Sequence, residues 1–348
     1  MSFNYEVSII LPVYNAEKTV YKTIVSVLSQ ENLSFELIII DDGSTDTTPT
    51  ILEQFKNNPI VKIISQPNNG VSSARNQGIK QATGKYCFFI DSDDFLEKST
   101  ISEMLKMANQ KKLDLVCCNH REINTTIMDS ESESKESMLL TTSTEIAKAL
   151  DSLYLQSAWA KLFKLVTLKK EKIYFKKEMS LGEDLNFSLN YLLYVKRVGY
   201  IGTVSYIINN INPYSLSKKY AFNLENDITI QHNSWQKLIT INPEIEKEYE
   251  KKHINFEYYL LKVYFGNLFR FNSPLSIKDK RAKIKHILIN KSEWIDLYKG
   301  RGNPQSVIDR IVMNVICTNN LFLIYFFFCI KEKLRRLMFF VGKKKYKS

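Results

Sequence analysis

Along the first 120 residues the apolar positions switch repeatedly between continuous runs and helical spacing. Val7-Ser-Ile-Ile-Leu-Pro12 predicts a buried strand, and Val20, Ile24, Val27 and Leu28 then share one helix face. Phe35 to Ile40 is the next run and stops at Asp41-Asp42-Gly43-Ser44. Pro49 suits a first helical turn, with Ile51, Leu52 and Phe55 on one side. Val61 to Ile64 predicts a third strand, a helix from about Ser72 to Ala82 follows, and Tyr86 to Ile90 is a fourth strand. Thr100 and Glu103 have capping-box spacing ahead of a helix carrying Ile101, Met104, Leu105 and Ala108. Leu113 to Cys118 closes the series as a fifth strand.

Strands and helices alternating over short connections predict an α/β fold built on a mostly parallel sheet flanked by helices. In such sheets ligands lie outside the carboxyl ends of the strands. Three polar stations fall there: Pro12-Val13-Tyr14-Asn15, Asp41-Asp42, and Asp91-Ser92-Asp93-Asp94. The third places three carboxylates within four positions, which suits a hard cation such as Mg²⁺ or Mn²⁺ shared with a phosphate. The same residues are also ordinary turn and capping chemistry. Three stations at one sheet edge, two of them acidic, favour a nucleotide-diphosphate pocket.

Further along, residues 121–142 are polar, and Ser143 to Leu155 returns to helical spacing. Trp159 and Lys161 stand in Ser-Ala-Trp-Ala-Lys-Leu-Phe, where the indole is either core or a flat face for a sugar. Gly182-Glu183-Asp184 precedes a helix with Leu185, Leu189, Leu192 and Leu193, where acids also suit the helix dipole. Val198 to Ile208 predicts one or two more strands. Beyond Ser217 the pattern becomes long helices rich in Tyr, Phe, Lys and Glu, such as Tyr249 to Phe271, with a boundary expected near Lys218 or Lys219.

Composition narrows the classes. The 348 residues are 44% hydrophobic, which suits a globular chain. Five cysteines without a C-x-x-C pair read as reduced core residues, and four scattered histidines argue against zinc. No secretory signal is expected at the start. Neither G-x-G-x-x-G nor G-x-x-x-x-G-K-[ST] follows the first strand, which counts against NAD enzymes and P-loop NTPases.

A net charge of +11 fits nucleic acid or an anionic membrane. Aromatic and basic side chains are not interleaved on the strands, so no nucleic-acid partner is expected. Leu321 to Ile330 is ten apolar residues where a membrane span needs about twenty. It is followed by Lys331, Lys333, Arg335 and Arg336, then by Lys343, Lys344, Lys345 and Lys347. That alternation suits a helix lying in the anionic inner face of the cell membrane, or a helix packed on its own domain.

Val7 to Asn15, Ile38 to Asp46, Asn69-Gly-Val-Ser-Ser-Ala-Arg-Asn-Gln-Gly78 and Gly84 to Phe95, in this order, resemble the family 2 inverting glycosyltransferases with a GT-A fold, of the bacterial surface-polysaccharide type. The resemblance covers about the first 220 residues. It implies a glycosyltransferase domain over 1–218, with a nucleotide-sugar half at 1–118 and an acceptor half at 119–218. A helical region with a basic, membrane-associating tail would then occupy 219–348.

On that resemblance Pro12 would belong to the donor-binding set, Tyr14 would lie against the nucleobase, Asp42 would accept from the uracil N3 proton, and Arg75 would face the nucleotide. Asp91 would meet the ribose or the metal, and Asp93 would ligate the Mn or Mg ion on the diphosphate. Glu183 and Asp184 match the family's acidic pair, Asp184 as general base, and Trp159 with Lys161 resembles an acceptor-side segment. Many relatives carry an arginine shortly before the Ser-Leu-Ser element, where this chain has Asn210, so Lys218, Lys219 or the metal would serve there.

The implied function is metal-dependent transfer of a sugar, hexosyl or N-acetylhexosaminyl, from a nucleotide-diphosphate donor, UDP expected. The acceptor would be a hydroxyl of a glycan or polyprenyl-linked acceptor. Such a protein would be cytoplasmic and peripheral to the membrane. A nucleotidyltransferase, or a non-catalytic sugar-nucleotide binding module, is the alternative reading.

Overall fold

The structure is a computed structural model and describes residues 4–123, 136–150, 153–154, 157–209, 220–252, 256–270, 272–296 and 307–344. The chain divides into two compact units, Met1–Glu178 with Gly182–Pro213, and Met179–Leu181 with Tyr214–Ser348. Most of the polar insert, the Asn210 to Lys219 stretch that includes the expected boundary, and Lys345 and Lys347 lie outside the described residues.

The first unit is built on one sheet. Strands β1 (Val7–Val13), β2 (Phe35–Asp41), β3 (Val61–Ser65) and β4 (Tyr86–Phe89) run parallel in the order β3-β2-β1-β4. Every residue of β1 and β2 is buried, which is why these strands read as unbroken apolar runs rather than alternating ones. Helices α1 (Val20–Leu28), α2 (Thr48–Glu53) and α3 (Val71–Gln81) make the crossovers. Helix α3 lies close against β1 at Gly78, where a Cβ would come within 2.4 Å of Ile10 Cγ2. Only glycine fits there, and the close approach holds α3, with Arg75 one turn earlier, against the sheet.

Beyond β4 the sheet is no longer parallel. The strand expected at Leu113 to Cys118 is β6 (Leu115–Ile123), but it is not the neighbour of β4. A short strand, β8 (Lys161–Lys164), lies between them, antiparallel to both. Strand β9 (Val198–Asn209) follows β6 in parallel, across a register shift between Cys118 and Asn119. Strands β5 (Phe95–Leu96) and β7 (Met138–Leu140) both pair antiparallel with β9.

Helices α4 (Thr100–Lys111), α5 (Ser143–Lys148), α6 (Leu165–Lys170) and α7 (Glu183–Leu192) complete the unit. The capping box expected at Thr100 and Glu103 does not form, because Thr100 is already the first helical residue and is fully buried. One does form at α5, where Thr142 Oγ1 accepts from the Glu145 amide and Glu145 accepts from the Thr142 amide.

The second unit is helical: α8 (Leu224–Ile241), α9 (Pro243–Lys252), α10 (Phe256–Leu268), α11 (Ile277–Asn290), α12 (Ser292–Asp296), α13 (Val307–Cys317) and α14 (Leu321–Lys344). Over the helix expected from Tyr249 to Phe271 the described residues form α9 up to Lys252 and α10 from Phe256 to Leu268, while 253–255 and 271 lie outside the described residues. Trp235 stacks on Phe256, and Phe328 of α14 packs on Phe265 and Phe269.

Candidate active site

Strand β4 delivers its acids to a tight turn whose backbone is spoken for. The Asp91 amide donates to the Tyr206 hydroxyl at 3.1 Å, and that hydroxyl donates to Asp94 Oδ2 at 2.7 Å. The Asn209 amide donates to Asp94 Oδ1 at 2.9 Å. Thr23 of α1 donates to the Ser92 carbonyl at 3.0 Å. Asp94 therefore builds the turn; burial, reinforced by the Asp91 charge, pushes its carboxyl up to about 8.

Asp93 differs. It is partly exposed, and among the described residues no other residue hydrogen-bonds its side chain. Burial, with the Asp91 charge adding to it, pushes its carboxyl up to about 6. A nearby cation would reverse that cost. Among the described residues no three acidic, histidine or cysteine side chains gather closely enough to hold a metal alone. Two carboxylates at one strand tip nevertheless fit Mg²⁺ or Mn²⁺, which keep several waters and take substrate phosphate oxygens. Asp93, and Asp91 through the oxygen that Arg75 does not take, are the residues that would hold such an ion.

Arg75 is the centre of the arrangement. Its side chain is 5% exposed, Nη2 donates to Asp91 Oδ1 at 2.9 Å, and Nη1 donates to Asp184 Oδ1 at 2.7 Å and lies 3.5 Å from Glu183 Oε1. The guanidinium sits over the Phe175 ring, 5.2 Å from its centroid. Burial alone would lower its proton affinity, but Asp184, Asp91 and Glu183 more than offset this and keep it charged. A planar fork can bridge two carboxylates at once, which a lysine cannot. Arg75 thus reaches from Asp91 at the strand tip to the acidic pair.

Asp184 is anchored twice, since its other oxygen accepts from the Ala158 amide at 3.2 Å. Burial pushes its carboxyl up to about 7, against the pull of Arg75 and with the push of Glu183 and Asp91. A carboxylate poised near neutrality suits a general base. Gly182, with φ +80°, makes the left-handed turn that starts α7 and brings Glu183 and Asp184 into its first turn.

The remaining expected residues take varied places. Pro12 is buried at the end of β1 and Tyr14 is 50% exposed just beyond it. Asp42 is buried and already accepts from Gln66 Nε2 at 2.7 Å, the Asn69 amide at 3.0 Å and the Gly70 amide at 2.8 Å. It shapes the loop that launches α3. Trp159 stacks on Tyr206 at 5.0 Å and 20°, and His120 meets its edge. The Lys161 ammonium is 1% exposed and lies within hydrogen-bonding distance of the carbonyls of Tyr154, Ser157 and Trp159. Its chemistry here is to hold the loop under Trp159, and burial lowers its proton affinity.

Three contributors carried no expectation. Tyr206 ties Asp91 to Asp94; Phe175 floors the arginine; and Asn76, beside Arg75, clasps the Phe175 backbone with two 2.8 Å bonds. The adjacency of Asn76 to Arg75 was the one signal available.

Residues 8–164 match the family described as Glycosyl transferase family 2. The chain is 30% identical over 217 residues to the Bacillus subtilis uncharacterized glycosyltransferase EpsJ, covering 61% of this chain and 63% of that one. It is 27% identical over 303 residues to the Staphylococcus aureus poly(ribitol-phosphate) beta-N-acetylglucosaminyltransferase TarP, covering 84% and 86%. The crystal structure of S. aureus TarS 1-349 in complex with UDP-GlcNAc superposes with a TM-score of 0.65 at 19% identity, covering 95% of this chain and 92% of that one. The chain spans under two thirds of EpsJ, and 34% of the TarS chain it matches in sequence. The superposition bears out the GT-A fold, a mixed sheet flanked by helices and followed by a helical C-terminal region.

Proposed function

We propose, for a chain whose residues 8–164 match glycosyl transferase family 2, that the site transfers a sugar from UDP to a hydroxyl with inversion. One observation carries the reading: a buried carboxylate poised near neutrality, Asp184, is joined through Arg75 to the acids of a strand tip. Asp184 takes the proton of the acceptor hydroxyl. The freed oxygen forms its bond to the anomeric carbon from the face opposite the nucleotide, and the carbon–oxygen bond to UDP breaks with its electron pair going to the diphosphate. Asp93 and Asp91 would hold Mn²⁺ or Mg²⁺ with the diphosphate, the bound ion supplying Lewis-acid stabilisation of the leaving group. Trp159 offers the acceptor side a ring edge, and Tyr14 the nucleobase a partly exposed one.

The donor expected is a UDP-hexose or UDP-N-acetylhexosamine, and the similarity to TarP, a beta-N-acetylglucosaminyltransferase, supports UDP-GlcNAc as the first to try. The acceptor class is a surface glycan or its polyprenyl-linked precursor. Free UDP as product, rather than pyrophosphate, separates this reading from a nucleotidyltransferase. Chelation is expected to abolish UDP release and Mn²⁺ or Mg²⁺ to restore it, while Asp93→Ala lowers turnover at least about a hundredfold. UDP release unaffected by either would remove the metal from the account.

We also place the protein on the anionic inner face of the membrane. Phe322, Phe326, Ile330 and Leu334 fall at i, i+4 spacing along α14, each more than half exposed, beside exposed Lys331, Lys333 and Arg335. No helix among the described residues is long and apolar enough to cross a membrane. The opposite face of α14 buries Ile324 and Phe328, so the helix is also packed on its own unit. Deleting it would open that core; Phe322→Glu with Phe326→Glu is the cleaner test. The pair is expected to weaken cosedimentation with phosphatidylglycerol vesicles at least about tenfold, as does high salt. Equal binding by the variant would contradict this placement.

A further inference from the structure

We propose that Lys161, the first residue of β8, is a positioning residue for the base: its ammonium sets the loop before it against α7, an inference that rests on the reading of Asp184 as that base. The side chain is buried, and its charge is matched to carbonyls rather than to a carboxylate. Nζ donates to the Ser157 carbonyl at 2.8 Å, the Tyr154 carbonyl at 2.9 Å and the Trp159 carbonyl at 3.3 Å, so three hydrogens meet three acceptors. An uncharged chain of similar length would fill the same space without the cost of burying a charge. What it could not do is gather those carbonyls.

The gathered loop does not hold its shape unaided. Tyr154 at φ +47° and Ala160 at φ +57° are both left-handed, a conformation that residues other than glycine keep only where their surroundings enforce it. The same loop meets α7 at two points. The Ala158 amide donates to Asp184 Oδ2 at 3.2 Å, and the Ser188 hydroxyl donates to the Ser157 carbonyl at 3.4 Å. Residues 184 and 188 lie one turn apart on one helix face, and the Ser157 carbonyl is also the one that Lys161 holds most closely. Trp159 of this loop stacks on Tyr206, whose hydroxyl ties Asp91 to Asp94. Asp184 is, besides, the carboxylate whose charge acts on the ammonium.

A loop released from Lys161 would take the Ala158 amide with it and leave Asp184 on Arg75 alone. A base acts only within hydrogen-bond reach of its proton, so the loss of direction costs rate rather than donor affinity.

The test uses the full chain with UDP-GlcNAc and Mn²⁺, free UDP being measured, and the variants Lys161→Met, Lys161→Gln and, for comparison, Asp184→Asn. Lys161→Met is close in length and has no donors. It is expected to lower kcat per folded molecule at least about tenfold with donor KM within about twofold. Without ligands it also speeds amide hydrogen exchange over residues 157–160 at least about tenfold while β1 is unchanged. Lys161→Gln keeps two donors, falls between Lys161→Met and wild type in both readouts, and decides the matter where Lys161→Met fails to fold.

Unchanged kcat per folded molecule beside an inactive Asp184→Asn would overturn this inference and leave the base reading standing, whatever happens to the melting temperature or the exchange. A loss that appears in donor KM instead of kcat would overturn it too. Near-normal turnover in Asp184→Asn, or no UDP released by the wild-type protein, would remove the base reading and this inference with it.

Discussion

Asp184→Asn is expected to lower kcat at least about a hundredfold while leaving the donor KM within about twofold, measured by release of free UDP. The substitution keeps the side-chain shape and one oxygen, which can accept from Arg75 or from the Ala158 amide but not from both, so the proton acceptor is lost together with one of its two anchors. The pH dependence follows from the same group. Burial holds its carboxyl up to about 7, and the base works only when ionised. Activity is therefore present above about pH 7 and lost as the pH falls through that value. For stability the sign is opposite. A carboxyl raised above its unfolded value favours the fold when protonated, so this contribution is present below the unfolded value and fades as the pH rises through about 7. Near-normal turnover in Asp184→Asn would remove this residue from the chemistry.

Arg75→Ala is expected to be inactive and also the most damaging to the fold. It strips the counter-charge from Asp91, Glu183 and Asp184 together, in a place where the arginine side chain is only 5% exposed. Removing one partner from a buried pair costs about 3–5 kcal/mol, because the other charge is left without compensation. For a chain of this size that is a fall in Tm of roughly ten degrees. Arg75→Lys keeps the charge but cannot span Asp91 and Asp184 together, and it is expected to restore less than half of the loss. Thermal unfolding followed by circular dichroism reads this directly, and an unchanged Tm for Arg75→Ala would mean that the ion-pair network does not hold the site.

The parallel half of the sheet was legible because its strands are buried on both faces and stand out as unbroken apolar runs. Their carboxyl ends then located the polar stations without further information. The acidic pair at 183 and 184 was legible as a motif. What joins these features was not, because the bonds that build the site link residues far apart in sequence. Arg75 and Asp184 are separated by 109 positions, and Tyr206 and Asp94 by 112. No local periodicity reports such a meeting.

Strand β8 escaped for a different reason. Its four residues lie in a segment whose tryptophan and lysine draw attention to surface chemistry, while Leu162 and Phe163 do the packing. Lys161 is the sharpest case. The resemblance puts it in an acceptor-side segment, and its ammonium lies among carbonyls that only a folded loop can assemble. The three acids of Asp91 to Asp94 also differ in a way spacing does not reveal: Asp94 builds the turn, Asp91 meets the arginine, and the Asp93 side chain takes no hydrogen bond from another described residue.

The most direct measurement is a crystal structure of the protein with UDP and Mn²⁺, with the ion located by its anomalous scattering. The expected result puts the ion on Asp93 and the diphosphate, with the Asp184 carboxylate facing the anomeric position from the side away from the nucleotide. An ion bound elsewhere, or Asp184 turned from that position, would contradict the account.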